Sequence, residues 1–248
     1  MNSPVYVLWL RQVKKYFRSR SRIVGALGQP TLFLIALGFG FGPVFAKAGS
    51  GNYFEFLVPG IIALSILFTA TFSGIEVIWD RQFGFLKETL VAPVNRTKIM
   101  LGRTLGGATV AVVQGLIVML ISLLLGFQFN VLMLPVAVVF MFLLGLLFTA
   151  LGTAIASLME DMQGFQLIVN FLIMPLFFLS NALFPVDNLP GPLAAITSLN
   201  PVSYAVDGMR GALTGATQFG ILLDFGVLAV LVVVVMLIGG KLFSNIQA

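Results

Sequence analysis

Few side chains of this 248-residue sequence are of types that carry chemistry, and their spacing does not form a catalytic pattern. The chain has no His and no Cys, so the usual general base, the commonest metal ligand and thiol chemistry are all missing. Gly239, Gly240 and Lys241 precede Leu242 rather than Ser or Thr, which excludes a phosphate-binding P-loop. We therefore expect no catalytic, cofactor-binding or metal site in this chain.

Four ionisable residues remain of interest because they lie in or beside apolar runs. Glu76 stands one turn from the end of such a run, and we interpret it as a solvated helix end rather than a proton relay. Asp224 stands near the start of the last run, and we place it at the membrane interface. Asp207 and Arg210 are three residues apart, which is the spacing of a local helical pair. Ionisable groups at mid-depth are scarce, which argues against a proton- or sodium-driven transporter.

The composition is that of an integral membrane protein. Hydrophobic residues make up 59% of the chain, charged residues make up 9%, and the mean hydropathy is +1.06. Soluble domains carry about 25% charged residues, which they need to cover their surface. The net charge of +5 fits membrane topology and lipid contact better than nucleic-acid binding. We predict an all-α membrane protein that forms one domain over residues 1–248.

Six apolar runs are long enough to cross a bilayer, which takes about 20 residues of helix. They cover residues 23–45, 56–79, 104–126, 131–158, 165–184 and 219–240. The first run exceeds the length of the apolar part of a signal peptide, so we interpret it as an uncleaved span. Gly38 and Gly42 within it have the spacing that lets a second helix approach closely. Only residues 127–130 join the third and fourth spans, which predicts an antiparallel hairpin.

Residues 1–22 have the pattern of a basic amphipathic helix, with Ser3 and Pro4 suited to its first turn. Lys and Arg lie on one arc of this helix, and apolar residues lie on the opposite arc. The apolar residues are Val5, Leu8, Trp9, Val13, Tyr16 and Phe17. Such a helix lies in the plane of the lipid headgroups. The alternative is a solvated helix that packs on a soluble partner.

The distribution of Lys and Arg predicts the orientation of the spans. These residues concentrate before the first span, in residues 80–103 and after the last span, whereas the connections on the other side hold only Lys47 and Arg210. Positively charged connections stay in the cytoplasm. Both termini and residues 80–103 are therefore predicted to face the cytoplasm, and the chain is predicted to be a multi-pass protein of the plasma membrane.

Residues 80–103 form the longest polar segment between two spans. Apolar residues recur in it at helix-like spacing, and Pro93 would end the helix. These apolar residues are Phe83, Leu86, Leu90 and Val94. A short amphipathic helix held between two spans can fill a groove on a soluble partner and transmit its motion. The alternative is a helix that rests on the inner leaflet, and the spacing alone does not separate the two.

Residues 185–217 are moderately apolar but too broken by proline to span a membrane. The prolines are Pro185, Pro190, Pro192 and Pro201. We predict short re-entrant helices that dip into the bilayer from the outside, which is tolerated only where they pack against protein.

Two parts of the sequence resemble a known family. Residues 84–94 read GFLKETLVAPV, which is similar to the cytoplasmic signature of ABC-2 type transporter permeases. Residues 181–185, 188–190 and 199–210 read NALFP, NLP and LNPVSYAVDGMR, which resembles the block between the last two spans in the drug-resistance branch of that family. Phe85 and Lys87 depart from the usual signature, in which many members carry Thr and a small or acidic residue.

The resemblance implies a dimer, usually of identical chains, on two cytoplasmic ATPase subunits that bind ATP and Mg²⁺. It assigns coupling to the ATPase to Phe83, Gly84, Leu86, Lys87, Glu88, Leu90 and Pro93. It assigns the external re-entrant block to Asn200, Pro201, Tyr204, Asp207 and Arg210. For this block we favour a scaffold role over substrate binding.

These observations together predict the membrane subunit of an ATP-driven exporter, with cargo passing between two protomers along the first, second and fifth spans. The drug-resistance resemblance and the Phe-rich, charge-poor spans favour an amphiphilic, lipid-like or drug-like cargo. A polysaccharide or other glycan exporter is the alternative, and in such a protein we expect a belt of Tyr and Trp. An ion-coupled secondary transporter is less favoured. No feature supports a scaffold without cargo or an intramembrane enzyme.

Overall fold

The computed structural model describes residues 3–47, 52–85, 94–185 and 190–244. These residues form α-helices joined by short connections, and no strand occurs among them. In chain order the helices are α1 (Pro4–Arg18), α2 (Arg20–Lys47), α3 (Tyr53–Phe72), α4 (Ile75–Gln82), α5 (Arg96–Leu124), α6 (Leu134–Ser157), α7 (Met162–Phe178), α8 (Gly191–Leu199), α9 (Pro201–Thr214) and α10 (Ile221–Ser244). The predicted all-α fold is confirmed.

Five stretches of the described residues are helical, long and apolar enough to cross a membrane. They are Arg20–Pro43, Tyr53–Gln82, Arg96–Leu124, Val131–Ser157 and Ile221–Ser244. The predicted fifth span, residues 165–184, corresponds to the shorter apolar helix α7, which has 17 residues and ends at Phe178. At 1.5 Å per residue α7 is roughly 26 Å long, which is near the lower limit for a bilayer core of about 30 Å.

The bundle has two ends, which we name after the helices that lie there. The α1 end holds α1, the last turn of α4, the starts of α5 and α7 and the last turns of α6 and α10. Arg96 at the start of α5 donates a hydrogen bond there to the carbonyl oxygen of Ser244 at the end of α10. The α9 end holds α8, α9 and the opposite ends of the long helices. The N–H group of Asn130 donates there to the carbonyl oxygen of Leu213 in α9 (3.0 Å).

Helix α3 lies at the centre of the bundle. It is buried from Tyr53 to Thr71 on most of its circumference, because α2, α5, α6, α7 and α9 all pack against it. A helix that is apolar on every side belongs in such an interior position. Asn52 caps its start by accepting a hydrogen bond from the N–H group of Phe54 (3.0 Å). Helix α3 therefore forms one wall of any space between the helices around it.

The second predicted span is built from two helices, α3 and α4. The chain bends at Ser73 and Gly74, whose N–H groups donate to the carbonyl oxygens of Ala70 (3.2 Å) and Thr71 (3.0 Å), only three residues back. Helix α6 crosses at this bend, where a Cβ atom on Gly74 would overlap the carbonyl group of Gly152. Glycine at both positions lets the two backbones touch. The bend redirects α4 towards α1.

Helix α1 packs lengthwise against α5. Trp9 Nε1 donates a hydrogen bond to Thr109 Oγ1 (3.0 Å), and the hydroxyl of Tyr16 donates to Gln114 Oε1. Burial raises the pKa of Tyr16, so its hydroxyl keeps the proton that it donates. The two helices approach closely because α5 presents glycine, and a Cβ on Gly102 would lie 2.9 Å from a carbonyl oxygen of α1.

This packing divides the apolar arc that was predicted to lie among lipid headgroups. Tyr16 is buried against α5, whereas Phe17 is 56% exposed. Part of the arc thus contacts the chain's own α5, which neither sequence-based alternative included. Only the remaining part faces away from the bundle.

Two short helices, α8 and α9, occupy most of residues 185–217. Helix α9 is buried over most of its length, from Val202 to Leu213, because it packs against α3, α6 and α10. In α8 only Thr197 is buried among the described side chains. Both helices are too short to cross a bilayer, and their depth in a membrane stays a prediction.

Candidate functional site

The residues predicted to couple this chain to an ATPase begin directly after α4. The side chain of Phe83 is 67% exposed, and Gly84 turns the chain with φ +79 in open space. The other residues of this set lie outside the described residues, namely Leu86, Lys87, Glu88, Leu90 and Pro93. Helices α4 and α5 are the two described elements that this segment joins.

The last turn of α4 is held by a buried ion pair. Asp80 pairs with Arg103 of α5 and lies 3.6 Å from Nη2 of Arg11 in α1. Asp80 is 8% exposed and Arg103 is 5% exposed, whereas the side chain of Arg11 is about half exposed. Among the described residues, Nε and Nη1 of Arg103 have no hydrogen-bond partner. Asp80 is thus the carboxylate that compensates the buried charge of Arg103.

One turn earlier in α4, Glu76 is clamped between two cations. Its Oε1 lies 3.2 Å from Lys15 Nζ and 2.9 Å from Arg22 Nη1. Glu76 is only 6% exposed. The interpretation of Glu76 as a solvated helix end was therefore wrong, because α1 and the start of α2 fold over the carboxylate and exclude water.

Replacing Glu76 with glutamine should lower the free energy of unfolding by about 1–2 kcal/mol. The change keeps the shape and removes the charge from two hydrogen bonds to cations, which are worth about 1.5–3 kcal/mol each when buried. The side chains of Lys15 and Arg22 are 45% and 37% exposed, so they can turn to water and reduce the loss. Thermal melting in detergent measures the change. The matched control is Glu55→Gln, since Glu55 bonds only to its helix-cap neighbour Asn52 (3.0 Å) at an exposed site and should melt like the parent.

Two further side chains tie α4 to the connection between α6 and α7. Arg81 donates hydrogen bonds to the carbonyl oxygens of Met159 (3.0 Å) and Ser157 (3.1 Å). Gln82 Nε2 donates to the carbonyl oxygen of Glu160 (2.9 Å). Together with the ion pairs, these bonds join α4 to α1, α2, α5, α6 and the start of α7. Helix α4 therefore moves only if these elements move or if the bonds break.

The sequence contains a pattern that predicts the ion pairs between α1 and α4. Two cations in α1, Arg11 and Lys15, are four residues apart, and so are Glu76 and Asp80 in α4. Residues four apart lie on the same face of a helix. Two helices that run antiparallel would then pair Arg11 with Asp80 and Lys15 with Glu76, as the structure does. The partner of Arg103 was not signalled, because its pairing depends on how α4 leaves the bend at Gly74.

An apolar cavity of about 230 Å³ lies between α2 and α3 at the α1 end. Its lining residues are Tyr16, Arg22, Gly25, Ala26, Gln29, Pro30, Ser65, Phe68, Thr69 and Phe72. Ser65 is buried, and its hydroxyl has no hydrogen-bond partner among the described residues. The cavity therefore combines an apolar wall with a small number of polar groups, which is the usual chemistry of a small-molecule site.

A second apolar cavity, of about 210 Å³, lies between α2, α3 and the segment after α7 at the α9 end. Its lining residues are Phe33, Leu37, Phe41, Tyr53, Phe178, Leu183 and Phe184. Pockets for drug-sized ligands measure about 300–1,000 Å³, so neither cavity alone holds such a ligand. The two cavities follow the same pair of helices from one end of the bundle to the other.

The start of the predicted re-entrant block shapes the turn between α8 and α9. Asn200 caps α9 by accepting from the N–H group of Val202 (3.0 Å), and it donates to the carbonyl oxygen of Leu176 in α7 (2.6 Å). Pro201 occupies the first turn of α9, where proline is favoured. Tyr204 donates to the carbonyl oxygen of Ser198 in α8 (2.6 Å). These contacts join parts of this chain to one another.

Asp207 and Arg210 bind different partners. The Asp207 carboxylate accepts from the N–H group of Gln218 (2.9 and 3.0 Å), in the connection to α10. Arg210 donates to the carbonyl oxygens of Asn181 (2.8 Å) and Phe56 (3.2 Å), and its guanidinium lies 3.9 Å from the centre of the Phe56 ring. The two charged groups also interact with each other, as their spacing predicted, although no ion pair within 4 Å joins them among the described residues. Neither residue lines the two cavities between α2 and α3.

The sequence is similar to known proteins over most of its length. A family model described as ABC-2 type transporter matches residues 4–214. Nodulation protein J of Rhizobium leguminosarum bv. viciae is 30% identical over 225 residues, which cover 90% of this chain and 86% of that protein. The ycf38 protein of Cyanophora paradoxa is 31% identical over 83% of this chain and 72% of its own length. A protein of Mycobacterium tuberculosis named as a probable doxorubicin resistance ABC transporter permease, DrrC, is 28% identical over 83% of this chain and 75% of its own length.

Proposed function

Because the chain belongs to the ABC-2 type transporter family, we propose that it is the membrane subunit of an ATP-driven exporter. The energy comes from two separate ABC ATPase subunits that bind ATP and Mg²⁺ in the cytoplasm. This division of labour is supported by the absence of a P-loop from the sequence. The permease contributes the path through the membrane and the segment on which the ATPase acts.

The proposed topology has six spans in the plasma membrane, with both termini in the cytoplasm. Helix α7 is the fifth span, and α8 and α9 enter the membrane from the outside without crossing it. The support is electrostatic, because most Lys and Arg among the described residues gather at the α1 end, while the α9 end has Lys47 at the end of α2 and the buried Arg210. Positive charge is retained on the cytoplasmic side.

The proposed coupling element is the segment from Phe83 to Pro93 together with α4. The ion pairs of Asp80 and Glu76 support this role, because they join α4 to α1, α2 and α5. When the ATPase subunits close, they would push on the segment that begins after α4. A rigid connection passes that displacement to α2, which borders both cavities, instead of losing it in a flexible loop.

The observation that carries the proposed substrate class is the pair of apolar cavities between α2 and α3. Their walls are rich in Phe and contain one cation, Arg22, at the α1 end. Such a path suits an amphiphilic, lipid-like or drug-like molecule with an apolar body and few charges. A relative named for doxorubicin resistance is in line with this class.

We propose that the working unit is a dimer of identical chains in which α2 and α7 of the two protomers face each other, while α3 lines the path from within each bundle. Each cavity is smaller than a drug-sized pocket, so a second copy that doubles the lining would bring it into the usual range. Helix α2 offers a large apolar surface for this contact, since little of its span is buried within one chain.

A glycan exporter is the second candidate. Sugars stack on aromatic rings and bond to many polar groups, so a glycan path would be lined with Tyr, Trp and hydrophilic side chains. The cavity at the α9 end contains a single Tyr, Tyr53, whose hydroxyl donates to the carbonyl oxygen of Leu183 (3.3 Å). The lining therefore favours the amphiphilic cargo.

Purification with an ABC ATPase encoded next to this chain tests the proposed function. We expect a stable complex whose ATP hydrolysis in vesicles is stimulated by amphiphilic cations or lipid-like compounds and which moves them across the bilayer. Stimulation by oligosaccharides alone would favour the glycan exporter. Flux driven by a pH gradient from the purified chain without any ATPase would contradict the proposal.

Substitution of Glu88 or Pro93 should uncouple ATP hydrolysis from transport. We expect the Glu88→Ala and Pro93→Ala complexes to assemble and hydrolyse ATP while cargo movement falls, because the segment no longer transmits the closure of the ATPase. Parallel assays of hydrolysis and transport in vesicles measure the ratio. The matched control is Glu160→Ala, an exposed carboxylate at the same end of the bundle. If both variants transport as the parent does, the coupling assignment is wrong.

A further inference from the structure

Asp224 is a buried carboxyl group that the proposed transport function does not use. It lies in the first turn of α10 at the α9 end and is 0% exposed. Its place at the membrane interface stays a prediction, but within the bundle its carboxyl group does not reach water. Neither of its oxygens accepts a hydrogen bond from a donor among the described residues. A buried charge without a partner costs several kcal/mol, so the protonation state of Asp224 needs a physical explanation.

The group that faces Asp224 is another carboxyl group, that of Asp207 in α9. Asp207 already accepts hydrogen bonds from the N–H groups of Gln218 (2.9 and 3.0 Å) and Phe219 (2.8 Å). Hydrogen bonds from N–H groups favour the ionised form of a carboxyl group. Ionised carboxylates have only acceptor oxygens, so a hydrogen bond between the two groups requires that one of them is protonated.

Among the described residues, the cation that interacts with this pair is Arg210, and its interaction is with Asp207, which favours the ionised form of Asp207. Arg210, the other charged residue of α9, donates to the carbonyl oxygens of Asn181 and Phe56. Helix α6, which packs against α9 and α10, contains no charged residue, and neither does the connection over residues 215–220. The cations of α5 and Lys241 of α10 lie at the opposite, α1 end, and Glu55 of α3 is bonded to Asn52 at an exposed site.

The position of Asp224 in the first turn of α10 would by itself favour a carboxylate, because helix N-termini attract negative charge. That effect depends on N–H groups that reach the side chain, and none of the described ones bonds to the oxygens of Asp224. Like charges in contact at a buried site cannot both persist. A single proton held between the two carboxyl groups gives Asp224 a hydrogen-bond partner. It also leaves only one negative charge at the site, which removes the repulsion.

We propose that Asp224 and Asp207 form a proton-binding site, in which Asp224 holds a proton and donates it in a hydrogen bond to the ionised carboxylate of Asp207. The bound proton fastens the start of α10 to α9. Asp207 in turn holds the connection between these helices through Gln218 and Phe219. The site therefore closes the α9 end of the bundle as long as the proton is present.

The connection is shaped to reach Asp207. Gly215 and Gly220 bracket it with φ +79 and +101, a backbone region that favours glycine. A Cβ atom on Gly211 would overlap Thr217, so the connection folds back directly onto α9. Loss of the proton would place two negative charges side by side under this tight connection, and their repulsion would separate α10 from α9.

Infrared spectroscopy of the full-length protein in detergent tests the proposal without an ATPase or a cargo. At neutral pH we expect the carbonyl band of a protonated carboxylic acid, shifted by ¹³C-labelled aspartate and lost in Asp224→Asn. The control Glu55→Gln should keep the band. A parent spectrum without a protonated aspartate would overturn the proposal, because both groups would then be ionised and held by a bound cation or water. The labelled parent gives this answer even if the variant does not fold.

Thermal melting as a function of pH is the second test. Asparagine at position 224 is neutral, similar in shape and able to donate a hydrogen bond to Asp207. We expect the melting temperature of the parent to fall at alkaline pH as the shared proton is lost. The melting temperature of the Asp224→Asn variant should not show this decrease. Parallel curves for the two proteins would show that Asp224 does not hold the proton and would overturn the proposal. Failure here would leave the transport function untouched, since that function is measured with the ATPase.

Discussion

An Asp80→Ala variant should lose about 3–5 kcal/mol of folding free energy, because it leaves the buried guanidinium of Arg103 without its carboxylate. Arg103 is 5% exposed, and two of its nitrogens already lack a partner among the described residues. Arg11, which approaches Asp80 to 3.6 Å, has a half-exposed side chain and can turn to water. The loss is measured as a fall in stability to chemical denaturation in mixed micelles.

The double variant Asp80→Ala/Arg103→Met provides the control for this prediction. Removing both partners of a buried ion pair costs much less than removing one, because no uncompensated charge remains. Arg103→Met alone should fall between the two, since Asp80 keeps the attraction of Arg11. The cycle isolates the coupling of Asp80 and Arg103. If the losses of the two single variants simply add in the double variant, the pair is not the source of the stability.

The same variants separate stability from coupling. Asp80 is fixed to α5, and the segment that we assign to the ATPase begins three residues later, at Phe83. If the Asp80–Arg103 pair serves only the fold, the double variant should transport normally once it is folded. If the pair also transmits motion from the segment, the double variant should be stable but poorly coupled. The second result is the one that our proposal predicts.

Hydropathy predicted where the long helices lie along the chain, but not which helices pack against one another in the bundle. The third and fourth spans were predicted over residues 104–126 and 131–158, and α5 and α6 include most of them. These helices could be predicted because an apolar run of this length is typical of a membrane-spanning helix. Helix α5 starts earlier, at Arg96, because Asn95 caps it by accepting from the N–H group of Thr97 (3.0 Å).

Burial of single polar residues could not be predicted in the same way. Glu76 was placed in water and Asp224 at the membrane interface, because each stands near the end of an apolar run. Both are buried in the bundle, Glu76 under α1 and α2 and Asp224 against α9. The position of a residue along a span follows from the sequence, whereas its partners depend on which helices pack there. The residues that we assign to ion pairing and proton binding therefore emerged only from the structure.

The glycine spacing in α2 accounts for one close contact within the chain. Gly38 and Gly42 of α2 were singled out by their spacing, and a Cβ on Gly38 would lie 2.7 Å from the ring of Phe54. Gly42 has no neighbouring atom within 4 Å among the described residues, so the approach of another helix there stays a prediction. The tightest contacts instead involve glycines that follow no simple repeat, such as Gly74 and Gly152. Spacing shows that two helices can approach, but not which glycines meet.

Replacing Gly152 with alanine should therefore cost about 1–3 kcal/mol, the range for overpacking a tight interior. A Cβ on Gly152 would overlap the carbonyl group of Thr71, and backbone atoms cannot move aside as a flexible side chain can. The same contact sets the bend between α3 and α4, so the added methyl group should also displace α4 and its ion pairs. Chemical denaturation in mixed micelles measures the loss.

Gly226→Ala is the matched control for this prediction. Gly226 lies within α10 with no neighbouring atom within 4 Å, and its φ is not positive. Alanine at such a site favours the helix by up to about 1 kcal/mol, so this variant should be neutral or slightly more stable. If Gly152→Ala lowers the stability while Gly226→Ala leaves it unchanged or raises it, the loss arises where α3 and α6 cross. An equal loss in both variants would mean that the crossing at Gly152 is not tight, and that the bend in the second span has another cause.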